Sequence, residues 1–364
     1  MDTIILERMT DLMDELNNRK HGKVDMIVST KNIVMKQNGI IHLQSQANNI
    51  DNDVEINSFE FMPTNWTHNQ IAEKLKIPKQ YYDRMRNDPD TQNLLAENVN
   101  MWLNKLDELV LVRAWNGEMI ALLSNRYRAI DNYDIANIVV HTVYDKKPTI
   151  RLNKAYIDDK IMNFQLLDTE TVYRPFDNIP NDVYYPGLNV RNSEVGYAAF
   201  VIEPFLYRSA CKNGMIYGFS SIRQIHIGTR KDEGMYWSNK TAELEGLTIL
   251  SKVNDAVQKV FSADFYQDVM EHFKLLKTEK IPIKIVDASL NILGFTQEEA
   301  KDIYKKIEGN SRFDFVQAIT SKANDYIVNG SNNPERGYEL QKIGGQLITD
   351  KELWKKIDAE SEKI

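Results

Sequence analysis

The stretch from Pro186 to Lys231, PGLNVRNSEVGYAAFVIEPFLYRSACKNGMIYGFSSIRQIHIGTRK, constrains this chain more than any other. Within EVGYAAFVIEPFLYRSACKNGMIYG apolar and polar residues alternate, the mark of long antiparallel strands with one buried face. On either side the apolar spacing turns helical. The fold expected is therefore α+β, a central antiparallel β-sheet built from hairpins and flanked by helical N- and C-terminal parts. The same stretch carries Arg191, Arg208, Lys212, Arg223, Arg230 and Lys231 against Glu194 and Glu203, a local excess of four positive charges in a chain of net charge -7. An anionic partner suits such a centre.

At 364 residues the chain exceeds the roughly 250–300 at which single hydrophobic cores stop growing. Three segments are expected: 1–107 with an N-terminal helix, a hairpin and a helical subdomain, 108–236 as the β-rich domain, and 237–364 as a helical part. Between Ile4 and Asn17, the residues Ile5, Met9, Leu12, Met13 and Leu16 recur at helical spacing. This stripe has no evident partner in the chain, which predicts a homo-oligomer. MIVSTKNIVMKQ and GIIHLQ read as two strands about an Asn38-Gly39 turn, and SFEFMP as a short strand.

Thr67, Pro78 and Thr91 each start a helix, giving three in a row. Gln70–Ile77 also fits a helix-turn-helix pattern, but the following helix presents Tyr81, Tyr82, Asp83 and Met85, which favours a packed subdomain. ELVLVRAW and MIALLS form a hairpin on Asn116-Gly117, and Asp131 caps the next helix. Beyond Trp237 the chain is helical, with SNNPERG as a loop of strong turn composition.

Composition narrows the chemistry. A hydrophobic share of 42% and a charged share of 27% are those of a globular protein, and no apolar run approaches a membrane span. The N-terminal residues lack a secretory pattern, and the lone Cys211 excludes an intramolecular disulfide, so a cytoplasmic setting is expected. His21, His42, His68, His141, His226 and His272 are singletons, so no metal is expected. Gly344-Gly345 lacks the flanking Lys-Ser/Thr of a phosphate loop, and no cofactor is expected.

Two candidate sites remain. Cys211 and His226 are the weak candidates for catalysis, because a thiolate needs a nearby imidazole or cation, which Arg208 and Lys212 also supply. The ordinary reading of Cys211 is a small buried hydrophobe. The second candidate is a nucleic-acid surface of Arg113, Arg126, Tyr127 and Arg128 on one hairpin with Tyr207, Arg208, Lys212, Arg223 and Arg230 on the others. Cations interleaved with rings track phosphates while bases stack, as on single-strand-binding proteins. The competing reading pairs these cations with the acidic helices.

Ser124 and Tyr127 before a helix, Arg208, Cys211 and Asn213 before His226, and FDFVQAITSKAND before Gly344-Gly345 form a recurring set. In these motifs the chain resembles proteins of domain-of-unknown-function family 932 from about residue 60 to about residue 350, departing at Gly214, where many relatives carry threonine. The resemblance implies a phage or plasmid setting near DNA-maintenance genes. Taken together, the readings point to a non-enzymatic, single-strand nucleic-acid-binding or annealing protein in the bacterial host cell. The alternatives are a Cys-His enzyme and an interaction protein that acts on a host factor.

Overall fold

The structure, a computed structural model, describes residues 3–44, 48–49, 60–127, 130–176, 182–217, 239–261, 263–328 and 333–363. The first part of the chain runs β1 (Ile4–Leu6), α1 (Met9–His21), β2 (Lys23–Ser29), β3 (Ile33–Met35), β4 (Ile41–Leu43), β5 (Asn48–Asn49) and β6 (Glu60–Pro63). Three helices follow, α2 (Asn65–Lys74), α3 (Lys79–Asn87) and α4 (Gln92–Leu106), then β7 (Leu109–Trp115), β8 (Glu118–Ser124) and α5 (Asn132–Lys146). Next come β9 (Ile150–Ile157), β10 (Met162–Asp168), β11 (Tyr184–Asn192), β12 (Val201–Arg208) and β13 (Asn213–Ile216). The chain ends in α6 (Asn239–Val260), α7 (Ala263–Thr278), α8 (Ile283–Ile292), α9 (Gln297–Lys306), α10 (Arg312–Val328), α11 (Pro334–Thr349) and α12 (Lys351–Ser361). No helix among the described residues is long and apolar enough to cross a membrane.

The α+β class holds, but the described strands form two sheets in place of one central sheet. A six-stranded antiparallel sheet has the order β1-β9-β10-β11-β12-β13, and a seven-stranded sheet has the order β3-β4-β6-β8-β7-β2-β5. Strand pairing also cuts across the expected segments. β7 and β8, placed in 108–236, pair with β2 and β6, while β1 from the N-terminus pairs with β9.

Local chemistry explains the elements. Asn116 and Gly117 both take positive φ (49° and 79°), the geometry that turns β7 back into β8 with matching twist. MIVSTKNIVMKQ does not run as one strand: the Ser29 hydroxyl accepts from Lys31 N and starts a 3₁₀ turn that separates β2 from β3. Thr64, three residues ahead of the expected Thr67, caps α2 by accepting from Thr67 N. SNNPERG is not a loop throughout, because Asn333 caps α11 and Pro334 occupies its first turn, where a missing N–H costs nothing.

The N-terminal stripe finds its partner within the chain. Ile4–Leu6 is strand, and Leu12 and Leu16 of α1 are buried with Ile135, Val139 and Val143 of α5. That removes the ground on which self-association was expected. The main core joins these helices to one face of the six-stranded sheet, through Phe164, Leu166, Leu188, Val190, Ile202 and Leu206, and to the C-terminal helices. A second core packs α2, α3 and α4 on the seven-stranded sheet, with Tyr82 and Met85 of α3 buried in it, so α3 is a packing helix.

A buried charge cluster joins the sheets. Arg113, 3% exposed, donates from Nε to Asp25 (2.7 Å), from Nη2 to Asp131 (2.8 Å) and from Nη1 to the Glu194 carbonyl (2.8 Å). Lys23 donates to Asp131 (3.0 Å) and to Glu194 (2.7 Å). Asp131 begins α5, yet its side chain serves these cations, and Glu194 accepts from Asn132 N (2.9 Å) in its stead.

Two predictions follow from this packing. Arg113→Met leaves Asp25 without its main counter-charge and Asp131 with Lys23 alone, so the urea midpoint is expected to fall by the equivalent of about 3–5 kcal/mol; a loss under about 1 kcal/mol would show the cluster to be dispensable. In α9, Glu299 accepts from Arg336 Nε (2.8 Å) and Nη2 (3.0 Å) and from Thr296 N (2.9 Å). Burial alone would raise its pKa, but Arg336 and the Thr296 amide outweigh it and hold the group at about 2, against 4.5 unfolded. Because the folded value is the lower one, this stabilisation is complete above about pH 4.5 and lost as pH falls towards 2. The Tm deficit of Glu299→Gln is therefore expected to shrink across that window.

Candidate nucleic-acid interface

The candidate residues divide between the two sheets. Arg113 is enclosed in the charge cluster and presents nothing to solvent. Arg126 is exposed in the turn after β8, and Tyr127 is half-buried, its hydroxyl donating to the Ser193 carbonyl (3.3 Å). Tyr207, Arg208 and Lys212 belong to the six-stranded sheet, at the β12–β13 hairpin. Arg128, Arg223, Arg230 and His226 lie outside the described residues. The structure thus brings Tyr207, Arg208 and Lys212 together and leaves Arg113, Arg126 and Tyr127 on the other sheet.

Within the hairpin, alternation sends neighbours to opposite faces. Arg208 points to the core side, where Nε donates to Asp182 Oδ1 (2.5 Å) and Nη1 to Gln317 Oε1 of α10 (3.2 Å). Burial works against its charge, but Asp182 more than offsets this and the pKa rises. Beside it, Asp182 Oδ2, Asn213 Oδ1 and Gln317 Nε2 are buried without hydrogen-bond partners among the described residues. Arg208, its side chain 13% exposed, therefore acts as a structural cation that ties β12 to α10 and presents little of its charge to a strand of nucleic acid. Cys211 is exposed in the turn, 3.5 Å from Arg208 Nη1, so it is not the buried hydrophobe that the sequence suggests.

The other face of this sheet is polar. Register places Tyr156, Asn163 and Arg191 in one row, Lys154, Gln165, Asn189 and Glu203 in the next, Arg151, Leu167 and Phe205 in a third, and Tyr185 beside Tyr207 in a fourth. α11 covers part of this face. Arg191 donates to Glu335 (2.5 Å), Tyr338 to Glu203 (2.9 Å) and Gln165 to Gln341 (2.9 Å). Asn189 donates to Glu203 (3.2 Å) and accepts from Asn163 (3.0 Å), which extends a chain of buried amides beneath the helix.

The remainder of the face is open and cationic. Arg151 and Lys212 are exposed, Lys154 is half-buried, and none of the three makes an ion pair among the described residues. Partial burial lowers the Lys154 pKa; Glu7 acts against this and Lys212 adds to it, so the two lysines feel one another. Tyr185 and Tyr207 are cross-strand partners, both half-buried, and partial burial, aided by Tyr185, raises the Tyr207 pKa. Stacking planes next to unpaired cations can hold an extended strand by its bases and its phosphates.

Sequence reading missed Arg151, Lys154 and Tyr185. Pairing YYPG of β11 with FLYR of β12 by period-two alternation puts Tyr185 opposite Tyr207, a signal present in the sequence. Asp182 and Gln317 left no such signal, since they lie 26 and 109 residues from Arg208.

These placements separate two side chains by experiment. Alkylation of Cys211 in the native protein is expected to be fast, and Cys211→Ser to change stability by under about 0.5 kcal/mol. Asp182→Ala, which strands Arg208, is expected to cost about 3–5 kcal/mol in urea unfolding. Slow alkylation would place the thiol inside. Compared with known proteins, the chain is matched by no family model, no curated protein and no solved structure.

Proposed function

We propose that this protein binds single-stranded nucleic acid on the open, polar face of its six-stranded sheet, without catalysing a reaction on it. The observation that carries the reading is the cross-strand pair Tyr185 and Tyr207 on the sheet face that also carries Arg151 and Lys154, with Lys212 in the adjoining β12–β13 turn, cations without ion-pair partners among the described residues. Of the residues singled out in the sequence, Tyr207 and Lys212 belong to this face, and Arg208 supports it from behind. The motif resemblance to family 932 supports a phage or other mobile element as the setting, the host cytoplasm as the place, and recombination or replication as the process. The chain's net charge of -7 disfavours indiscriminate coating by a polyanion, so binding is expected to concentrate on this patch.

A second reading, an interaction protein acting on a host factor, draws on the exposed apolar residues Leu94, Met101 and Trp102 along α4. A Cys-His enzyme draws on Cys211 alone, its expected partner His226 lying outside the described residues.

Titration of a labelled oligothymidylate decides between the first two. Affinity is expected to fall with salt at a log–log slope of about -0.7 per phosphate neutralised, and Lys154→Ala with Lys212→Ala to reduce that slope by about 1.4. Tyr207→Ala is expected to cost about 1–3 kcal/mol of binding at every salt concentration. Arg208→Ala is expected to act on folding and leave the slope of the surviving native protein unchanged. Absence of binding at micromolar protein and low salt would overturn the proposal and bring the interaction-protein reading forward.

A further inference from the structure

Far from the polar sheet face, a cavity of about 210 Å³ opens where the β3–β4 hairpin meets the β6–α2 junction and the facing ends of α3 and α4. Its apolar walls include Met35, Met62 and Leu95, and its polar groups include His68, Arg86 and Gln92. We propose that this cavity is a binding site for a small molecule that combines a flat ring with one anionic group, a carboxylate or a phosphate. The site is independent of the nucleic-acid reading.

The volume sets the size of the ligand. An apolar cavity of roughly 150 Å³ takes up benzene, so about 210 Å³ accommodates a six-membered ring with a substituent. Met35, Met62 and Leu95 supply the soft, polarizable surfaces that a ring packs against.

The polar end is set by His68. This side chain is 6% exposed, and its Nδ1 lies 2.8 Å from the hydroxyl of Tyr82, which is fully buried. Burial, with Arg86 and Lys79 nearby, lowers the His68 pKa to about 4 against the weaker pull of Asp83, so the imidazole is neutral at physiological pH. Burial raises the Tyr82 pKa, so its hydroxyl keeps its proton and needs an acceptor. Nδ1 is that acceptor, because among the described residues the Tyr82 hydroxyl has no other partner. The ring proton must then sit on Nε2, which has no partner among the described residues and is left to face the cavity as a neutral donor.

Arg86 adds a charge at the same end. Among the described residues its guanidinium has only a long contact to Asp83 (3.8 Å), while Gln92 Nε2 donates to the Arg86 carbonyl (2.9 Å) and fixes that turn of backbone. A fixed N–H donor beside a guanidinium matches a carboxylate or phosphate oxygen, and the apolar walls match the ring behind it. A free inorganic anion would leave those walls in contact with water.

Ligand-observed NMR and calorimetry on the full chain test this with benzoate and thymidine 5′-monophosphate as probes, and with inorganic phosphate and benzyl alcohol as controls. At least one of the two probes is expected to bind with a Kd of about 1 mM or below, and both controls about tenfold or more weakly. Arg86→Gln is expected to weaken the bound probe about tenfold and leave benzyl alcohol unchanged. Met62→Trp, at a half-exposed position on the rim, is expected to abolish binding while thermal unfolding stays cooperative. If Met62→Trp unfolds, Gln92→Trp at the opposite rim serves the same purpose. The proposal is overturned if neither probe binds, if inorganic phosphate binds as well as they do, or if a folded blocking variant retains the bound probe.

Discussion

Removing a charge from water costs more than almost any other event in folding, and this chain does it with five charges at one place. Lys23, Asp25, Arg113, Asp131 and Glu194 come from β2, β7, the start of α5 and the turn after β11. Three acids against two cations leave one negative charge uncompensated, and the N-terminus of α5 meets it, because Glu194 accepts from the first amide of that helix. Burial raises the Asp25 pKa even with Arg113 beside it. Neither sheet satisfies these groups alone. Trp66 and Gln70 of α2, both donating to the Val195 carbonyl (2.9 and 2.8 Å), add neutral hydrogen bonds to the same junction.

This cluster also explains which parts of the structure the sequence disclosed. Local rules were readable: Asn116-Gly117 demanded its turn, and the three helices from Asn65 to Leu106 followed their apolar spacing, although α2 is capped by Thr64 and not by Thr67; the α+β class held, while of EVGYAAFVIEPF only the part from Val201 onward is strand. Arg113 was misjudged because a cation on a hairpin strand reads as solvent-facing unless its partners are known, and those lie 18 and 88 residues away. The division into two sheets was illegible for the same reason. A strand's period shows that one face is buried, but it does not say which strand lies alongside, and β2 finds β7 some eighty residues on. Cys211 shows the converse. Its flanking turn was recognised, and the turn itself, with Lys212 at positive φ, carries the thiol outward.

The six-stranded sheet departs from the usual economy of one apolar and one solvated face. Its second face holds a layer of Asn163, Gln165, Asn189 and Glu203 that is as deeply buried as the core, because α11 closes over it. Amides under a helix specify where that helix sits, since each misplacement leaves several buried polar atoms unpaired. Only beyond the reach of α11, towards Arg151, Lys154, Tyr185 and Tyr207, does the face meet water. The binding face proposed for this protein is thus bounded by a helix whose own position is set through hydrogen bonds.

The contact between Gly345 and β13 extends this logic to self-association. A Cβ at Gly345 would lie 2.0 Å from the Ile216 carbonyl oxygen, so α11 presses its backbone against that oxygen. Tyr217 N bonds to Pro204 O, which turns the neighbouring Ile216 carbonyl away from β12 and towards the outer rim of the sheet. Here α11 shields the open hydrogen-bonding rim on which strand-by-strand polymerisation would begin. Among the described residues the opposite rim is β1, only three residues long and paired with 155–157 of β9, so the rest of β9 also lies at that edge. With this rim shielded by α11, a larger residue at Gly345 would press on the Ile216 carbonyl and lever the shield aside, leaving the outer edge of β13 open to a foreign strand.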